Sequence, residues 1–155
     1  MIKLAKEIIP FFRSIASPEN KKTLDLLKKK GNNIQIRSFK SDTKKYDWKV
    51  PREWIIKDAF IKNSNGKHIC NIKDEPLSVV NYSVAIDTII NLKKLKKKIH
   101  TIKEQPNAIP YVTSYYNKDW GFCLAHKKLK KLKNENYHVY KNSKFKKGKM
   151  VYGEA

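Results

Sequence analysis

The hydrophobic period of this chain changes at Gly31, and that change bounds what it can fold into. Before it, Ile2, Ala5, Ile8, Ile9, Phe12 and Ile15 recur at three- and four-residue steps, the spacing of an amphipathic helix. Pro10 is expected to kink or restart that helix, because it lacks a backbone donor and clashes with the preceding turn. Ser17-Pro18-Glu19 reads as a second helix start, with Ser17 as N-cap, Pro18 at the first position and Glu19 favourable to the helix dipole. Leu24 and Leu27 give that helix an apolar stripe, and Gly31 ends it. Beyond Gly31, Ile34 and Ile36, then Trp48 and Val50, alternate with polar neighbours, which is the period of a strand. Ile55–Lys62 and Lys67–Ile72 flank Asn63-Ser64-Asn65-Gly66. Asn-Gly between apolar alternations is the strongest short-range hairpin signal.

The rest of the chain keeps mainly to strands. Leu77–Tyr82 reads as one more. Leu92, Leu95 and Ile99 predict a helix capped by Asn91, with Lys93, Lys94, Lys96, Lys97 and Lys98 on its wet side. Prolines bracket Pro106–Pro110, which must be a turn or extended loop. Tyr111–Tyr116 and Trp120–Ala125, around a turn at Asn117–Asp119, predict a second hairpin. A basic helical turn follows near Lys127–Lys133. Tyr137–Lys141 and Met150–Tyr152, with a turn at Lys147-Gly148, complete the set, and there is no internal repeat. The expected fold class is α+β, mainly β: a helical segment at 1–31, then a β-rich domain at 32–155, built as a sandwich or open barrel with one or two short helices.

Charge is the feature that most invites a functional reading. The formal net charge is +21, which suggests nucleic acid. Yet only Arg13, Arg37 and Arg52 among the 35 basic residues are arginines, and arginine makes the bidentate contacts to bases and phosphates. The excess is lysine, accompanied by Ile and Asn, all favoured by AT-rich codons, and it is spread from residue 3 to residue 149. These points argue against nucleic acid as the partner. No run of eighteen apolar residues suggests a membrane span. The N-terminus carries Lys3, Lys6, Glu7 and Arg13, so it lacks the apolar centre of a signal peptide. Cys70 and Cys123 make no disulfide framework and suit reduced thiols in a cytoplasmic protein.

Candidate chemistry is sparse. Cys123 and His126 have the residue types of a nucleophile and its base, but three residues apart on one strand they would face opposite ways. His68 and Cys70, two apart, would share a strand face; with Cys123 and His126 they would supply four zinc ligands, at spacings unlike any zinc finger. His100 and His138 have no sequence neighbour to work with. Asp47, Glu53 and Asp58 are carboxylates near Trp48 and Trp54, a weak match to a glycosidase pair. No catalytic or metal-binding residue is therefore assigned. The segment Ala108–Leu124 is the exception to this blandness. It holds Tyr111, Tyr115, Tyr116, Trp120 and Phe122 with only two charges, Lys118 and Asp119, in a chain that is 32% charged. Adjacent tyrosines on a strand cannot both face the core. Ser114, Tyr115, Tyr116 and Trp120 are therefore the candidate contact surface.

Five blocks of the chain also resemble, in order and rough spacing, a family of bacterial zinc-dependent aminopeptidases. They are Arg13–Ile15, Asp47–Trp54 (DWKVPREW), Val80–Ser83 (VNYS), Ile109–Cys123 and Tyr152–Glu154 (YGE). The resemblance implies a di-zinc exopeptidase core interrupted by a small β-rich domain of unknown role. It makes 1–31 the start of the peptidase core and 32–155 the inserted domain. In that family the zinc ligands follow Tyr-Gly-Glu, beginning with a His-x-Cys-His-Pro block. His68-Ile69-Cys70 is followed by Asn71-Ile72 instead and lies far upstream, so no ligand role is carried over. The expectation is thus a catalytically incomplete N-terminal portion, inactive alone and without a cofactor of its own, zinc belonging to a full-length relative. Its β-rich domain would shape or cover the active-site cleft. A downstream peptidase half, or a second copy of the chain, is the expected partner. The alternative is a stand-alone basic module that binds nucleic acid or an acidic partner.

Overall fold

The structure, a computed structural model, describes residues 2–31, 33–115 and 117–155. In chain order the elements are helices α1 (Ile2–Ile8) and α2 (Pro18–Lys29), then strands β1 (Gln35–Lys40), β2 (Lys44–Lys45), β3 (Trp48–Lys49), β4 (Glu53–Asn63) and β5 (His68–Asn71). A 3-10 turn (Pro76–Ser78) precedes β6 (Ile86–Asn91), α3 (Leu92–Lys96), β7 (Ile99–His100) and β8 (Phe122–Cys123). Helix α4 (His126–Lys130), β9 (Asn136–Lys146) and β10 (Lys149–Glu154) follow. The fold is α+β and mainly β, as expected. Its strands form one four-stranded and three two-stranded sheets among the described residues, none of them a closed barrel.

The chain divides into two compact units, Met1–Ile55 with Lys144–Ala155, and Ile56–Ser143. In the first, β1 and β10 pair antiparallel from Gln35↔Glu154 to Lys40↔Lys149, with Phe39 stacked on Tyr152. Helix α1 stops before Pro10. Ser17 caps α2 through its extended backbone, but its hydroxyl donates to Asn20 Oδ1 (3.0 Å) instead of accepting from the helix. Leu24 of α2 and Ile34 lie over Gly153 of β10. Ala16, Val50 and Trp54 are buried, and the Trp54 N–H donates to the Ala16 carbonyl at 2.8 Å. Neither α1 nor α2 has a fully buried residue.

The second unit is built on the sheet β5-β4-β9-β6. Its inner face buries Ala59, Ile61, Tyr137 and Val139, and Leu92, Leu95, Phe122 and Leu124 are buried in the same unit. The β4–β5 hairpin forms where Asn65-Gly66 predicts it. The Asn63 side chain shapes the turn by accepting from Asn65 N–H (3.2 Å) and Lys67 N–H (2.9 Å), and Gly66 takes the positive φ (+75°). Asn91 caps α3 as expected, accepting from Lys94 N–H. The helix is shorter than the sequence suggests, and Ile99 falls in β7, which pairs parallel with β8. No helix among the described residues is long and apolar enough to cross a membrane.

Candidate functional site

Two of the aromatic sequence blocks meet in the second unit. The expected strand Leu77–Tyr82 is a 3-10 turn followed by isolated bridges, Val79↔Phe122 and Asn81↔Thr113. The expected hairpin Tyr111–Tyr116/Trp120–Ala125 is not seen among the described residues; both of its arms bond to 79–84. Val80 N–H donates to the Gly121 carbonyl (3.1 Å), Asn81 N–H to Val112 (2.8 Å), Ser114 N–H to Asn81 (3.0 Å) and Val84 N–H to Asp119 (3.0 Å). Tyr82 explains why no regular strand forms, since its positive φ (+56°) breaks the extended run. Gly121 explains the close approach. A Cβ there would stand 2.8 Å from Val80 Cγ2 and 3.0 Å from the Lys98 carbonyl.

This arrangement places three of the four candidate contact residues around one loop. The Ser114 hydroxyl donates to the Tyr82 carbonyl (3.0 Å), and the half-buried Tyr115 ring meets Tyr82 edge-on at 5.4 Å. Half-buried Trp120 lies beneath the Lys98 ammonium, 5.6 Å from its ring centre, and Trp120 N–H donates to Asp119 Oδ1 at 2.7 Å. Lys98 also bonds Asp119 at 2.6 Å, and this bond, helped by the Trp120 amide, holds the Asp119 carboxyl below its usual range. Tyr111 is 63% exposed on the same segment. Tyr116 lies outside the described residues. Lys98 is thus no part of a uniformly wet lysine face.

Beneath the loop lies a group that the sequence does not signal. Lys141 of β9 is 1% exposed, and burial pushes its ammonium down to about 7. Its Nζ donates to the Ser83 hydroxyl, itself fully buried, and lies 5.8 Å from the Phe122 ring centre. A serine beside a neutral lysine has the composition of a nucleophile and base. The hydrogen bonds run the wrong way for that chemistry. Ser83 Oγ–H donates to the Val80 carbonyl at 2.5 Å, so the lysine is donor to the serine and not acceptor from it. Ser143 Oγ–H donates to the Ser83 carbonyl at 2.8 Å. The network ties the 80–83 turn to β9 and holds the loop above it.

The histidines and cysteines do not converge. Ile69 is an extra residue in β5: Ile61 pairs with Cys70 but Lys62 pairs with His68. That bulge corrects the expectation that His68 and Cys70 share a face. His68 is exposed against Phe60, while Cys70 is buried and its thiol is pushed up to about 12. Cys123 is fully buried, its thiol raised to about 11 by desolvation. His126 opens α4 and bonds Thr101 Oγ1 at 3.0 Å through Nδ1. Among the described residues no three His, Cys, Asp or Glu side chains are grouped to hold a metal. Of the carboxylates, Glu53 accepts from Lys149 N–H (3.0 Å) and Asp58 pairs with Lys73 (3.7 Å).

Residues 53–144, which include the 79–84 turn, the loop and Lys141, match the family described as Domain of unknown function (DUF2172). This chain belongs to that family. A Clostridium acetobutylicum protein, provisionally named a polysaccharide biosynthesis protein with aminopeptidase-like domain, is 40% identical over 151 residues. The match covers 97% of this chain and 35% of the relative. A crystal structure from the same species, of a protein provisionally called a peptidase, superposes with a TM-score of 0.90 at 39% identity over 97% of this chain and 36% of that one. This DUF2172 chain therefore spans about a third of the length of the proteins it matches.

Proposed function

We propose that this chain is the N-terminal, non-catalytic part of a zinc-dependent aminopeptidase-like protein, and that its 111–120 loop borders the peptide cleft. One observation carries the reading. The same fold, at about 40% identity, occupies roughly a third of a longer protein named for an aminopeptidase-like domain. The loop geometry supports the role given to it. Tyr115 and Trp120 sit on a segment tied down through Ser114–Tyr82, Lys98–Asp119 and the buried Lys141–Ser83 network, and their rings rest against Tyr82 and Lys98, while Tyr111 is exposed beside them. Such a wall restricts which side chains a cleft admits; it moves no proton.

The test is complementation. The remaining two-thirds of the Clostridium relative is expressed separately and assayed on aminoacyl-anilides with zinc, with and without this chain. Addition of the chain is expected to raise or re-direct turnover, and Trp120→Ala to change the preference among anilides by about tenfold, mainly through KM. This chain alone is expected to show no turnover. Turnover by the chain alone that vanishes in Cys123→Ala would overturn the proposal, and so would an aminopeptidase half indifferent to the added chain.

A further inference from the structure

We propose that the outer face of the four-stranded sheet carries a saccharide site, an aromatic-walled hollow beside Tyr140 that takes a single pyranose ring. The hollow follows from strand register. Asp87 pairs with Tyr140 and Ile86 with Lys141, the last pair of the ladder, and the next residues on the two segments, Ala85 and Asn142, line the same hollow. Side chains alternate along a strand, which puts Asp87, Tyr140, Ala85 and Asn142 on one face and sends Lys141 through to the other. Three larger side chains then surround the methyl of Ala85. The result is an open hollow of about 300 Å³ lined by Ala85, Ile86, Asp87, Tyr140, Lys141 and Asn142. That volume is at the lower limit of small-molecule sites, which suits one ring and not an extended ligand.

The lining chemistry selects the class of ligand. Tyr140 is braced from behind, because Phe60 stacks on it at 5.0 Å with the rings 26° apart. Phe60 in turn meets His138 edge-on, and Lys62 lies 4.5 Å from its centre. A braced ring can receive the C–H face of a sugar without losing rotamer entropy on binding. Polar groups stand around it at hydroxyl reach. His138 Nε2 donates to Asp87 Oδ1 at 2.7 Å, which orients the carboxylate and leaves Oδ2 without a partner among the described residues. Asn142 is exposed and offers both a donor and an acceptor. Carboxylate and amide beside a ring fit vicinal hydroxyls. The same carboxylate disfavours phosphate, so stacking of a nucleic-acid strand is the poorer fit despite the basic chain. A cationic peptide is disfavoured by the net charge of +21.

The experiment is a titration of the full ¹⁵N-labelled chain, followed by amide shifts, with glucose, galactose, N-acetylglucosamine, chitotetraose and, in parallel, octathymidylate. A saccharide is expected to shift the amides of Ala85, Asp87, Tyr140 and Asn142. Tighter binding of chitotetraose than of N-acetylglucosamine would assign the hollow to a polymer; equal binding would assign it to free sugar. Tyr140→Ala is expected to weaken binding about tenfold. Ala85→Leu, at an exposed position, fills the hollow while keeping every polar group, and is expected to abolish binding in a chain whose spectrum is otherwise unchanged. The proposal is overturned by three results: no saccharide shifting these amides, binding that survives Ala85→Leu, or octathymidylate as the ligand that shifts them.

Discussion

Lys141 shows how one side chain couples the loop to the solvent pH. Its folded value of about 7 lies well below the 10.5 of an ordinary lysine, so between these limits the unfolded chain binds a proton that the folded chain does not. Stability therefore rises as pH increases from about 7, and below that value both states are protonated and the burial cost stays in full. Cys70 and Cys123 act in the opposite sense. Their thiols, raised to about 12 and about 11, stay protonated in the fold while the unfolded chain ionises above pH about 9. The clean window is thus pH 7 to 8. Denaturant melts across that window are expected to show the wild-type gaining on the order of 1 kcal/mol and Lys141→Met staying flat. A wild-type curve without slope would mean that the amine keeps its proton in the fold. Strand parity places Lys141 on the face of Tyr137 and Val139, but nothing local shows that a lysine there is buried; its bond to Ser83 and the nearby Phe122 ring, both distant in sequence, accompany that burial.

At the scale of elements, several local signals lead to the structure they predict, while the positive φ of Tyr82 and the bulge in β5 defeat others. The Asn-Gly hairpin, the Asn91 cap, the turn at Lys147-Gly148 and the basic helical turn all rest on side chains acting within a few residues. Failures came where partners are distant in sequence. Tyr111–Tyr116 and Trp120–Ala125 look like two arms of one hairpin, yet Val112 and Ser114, and Asp119 and Gly121 beside the second arm's start, bond to 79–84, about thirty to forty residues earlier. Strand β6 escaped notice because Ile89, 69% exposed, breaks the apolar alternation of Ile86, Thr88 and Ile90. The candidate site was legible in part. Ser114, Tyr115 and Trp120 lie together as a surface segment, but Tyr82, Ser83, Lys98 and Lys141 join them only through the fold. The hairpin gives a direct check on the local reading. Asn63→Ala removes both bonds from its side chain to the turn amides and is expected to cost about 1 kcal/mol in a chemical melt, with the native spectrum retained. A neutral result would shift credit for the turn to Gly66 alone.

For the whole molecule, the two compact units, Met1–Ile55 with Lys144–Ala155 and Ile56–Ser143, are the frame for truncation. Residues 2–15 bury nothing completely, and Ile2, Ile9 and Ile15 are 76%, 59% and 40% exposed. Residues 16–29 are different. Ala16 and Ser17 are buried, the Ala16 carbonyl receives Trp54 N–H, and Leu24 covers β10. A buried apolar side chain contributes about 1.5–3 kcal/mol, against about 5–15 for an entire domain. Deleting 1–15 is therefore expected to leave the melting transition within about 1 kcal/mol of the intact chain. Deleting 1–31 should release β1 and β10, while 56–143 retains its own sheet and core. Hydrogen exchange separates the cases. Amides of 2–15 should exchange fast in the intact chain, and those of Ala59, Ile61, Tyr137 and Val139 slowest. In the longer deletion, protection should vanish at 35–40 and 149–154 and persist at these four. Loss of protection throughout would show that both units fold as one cooperative body, with the N-terminal helices part of its core.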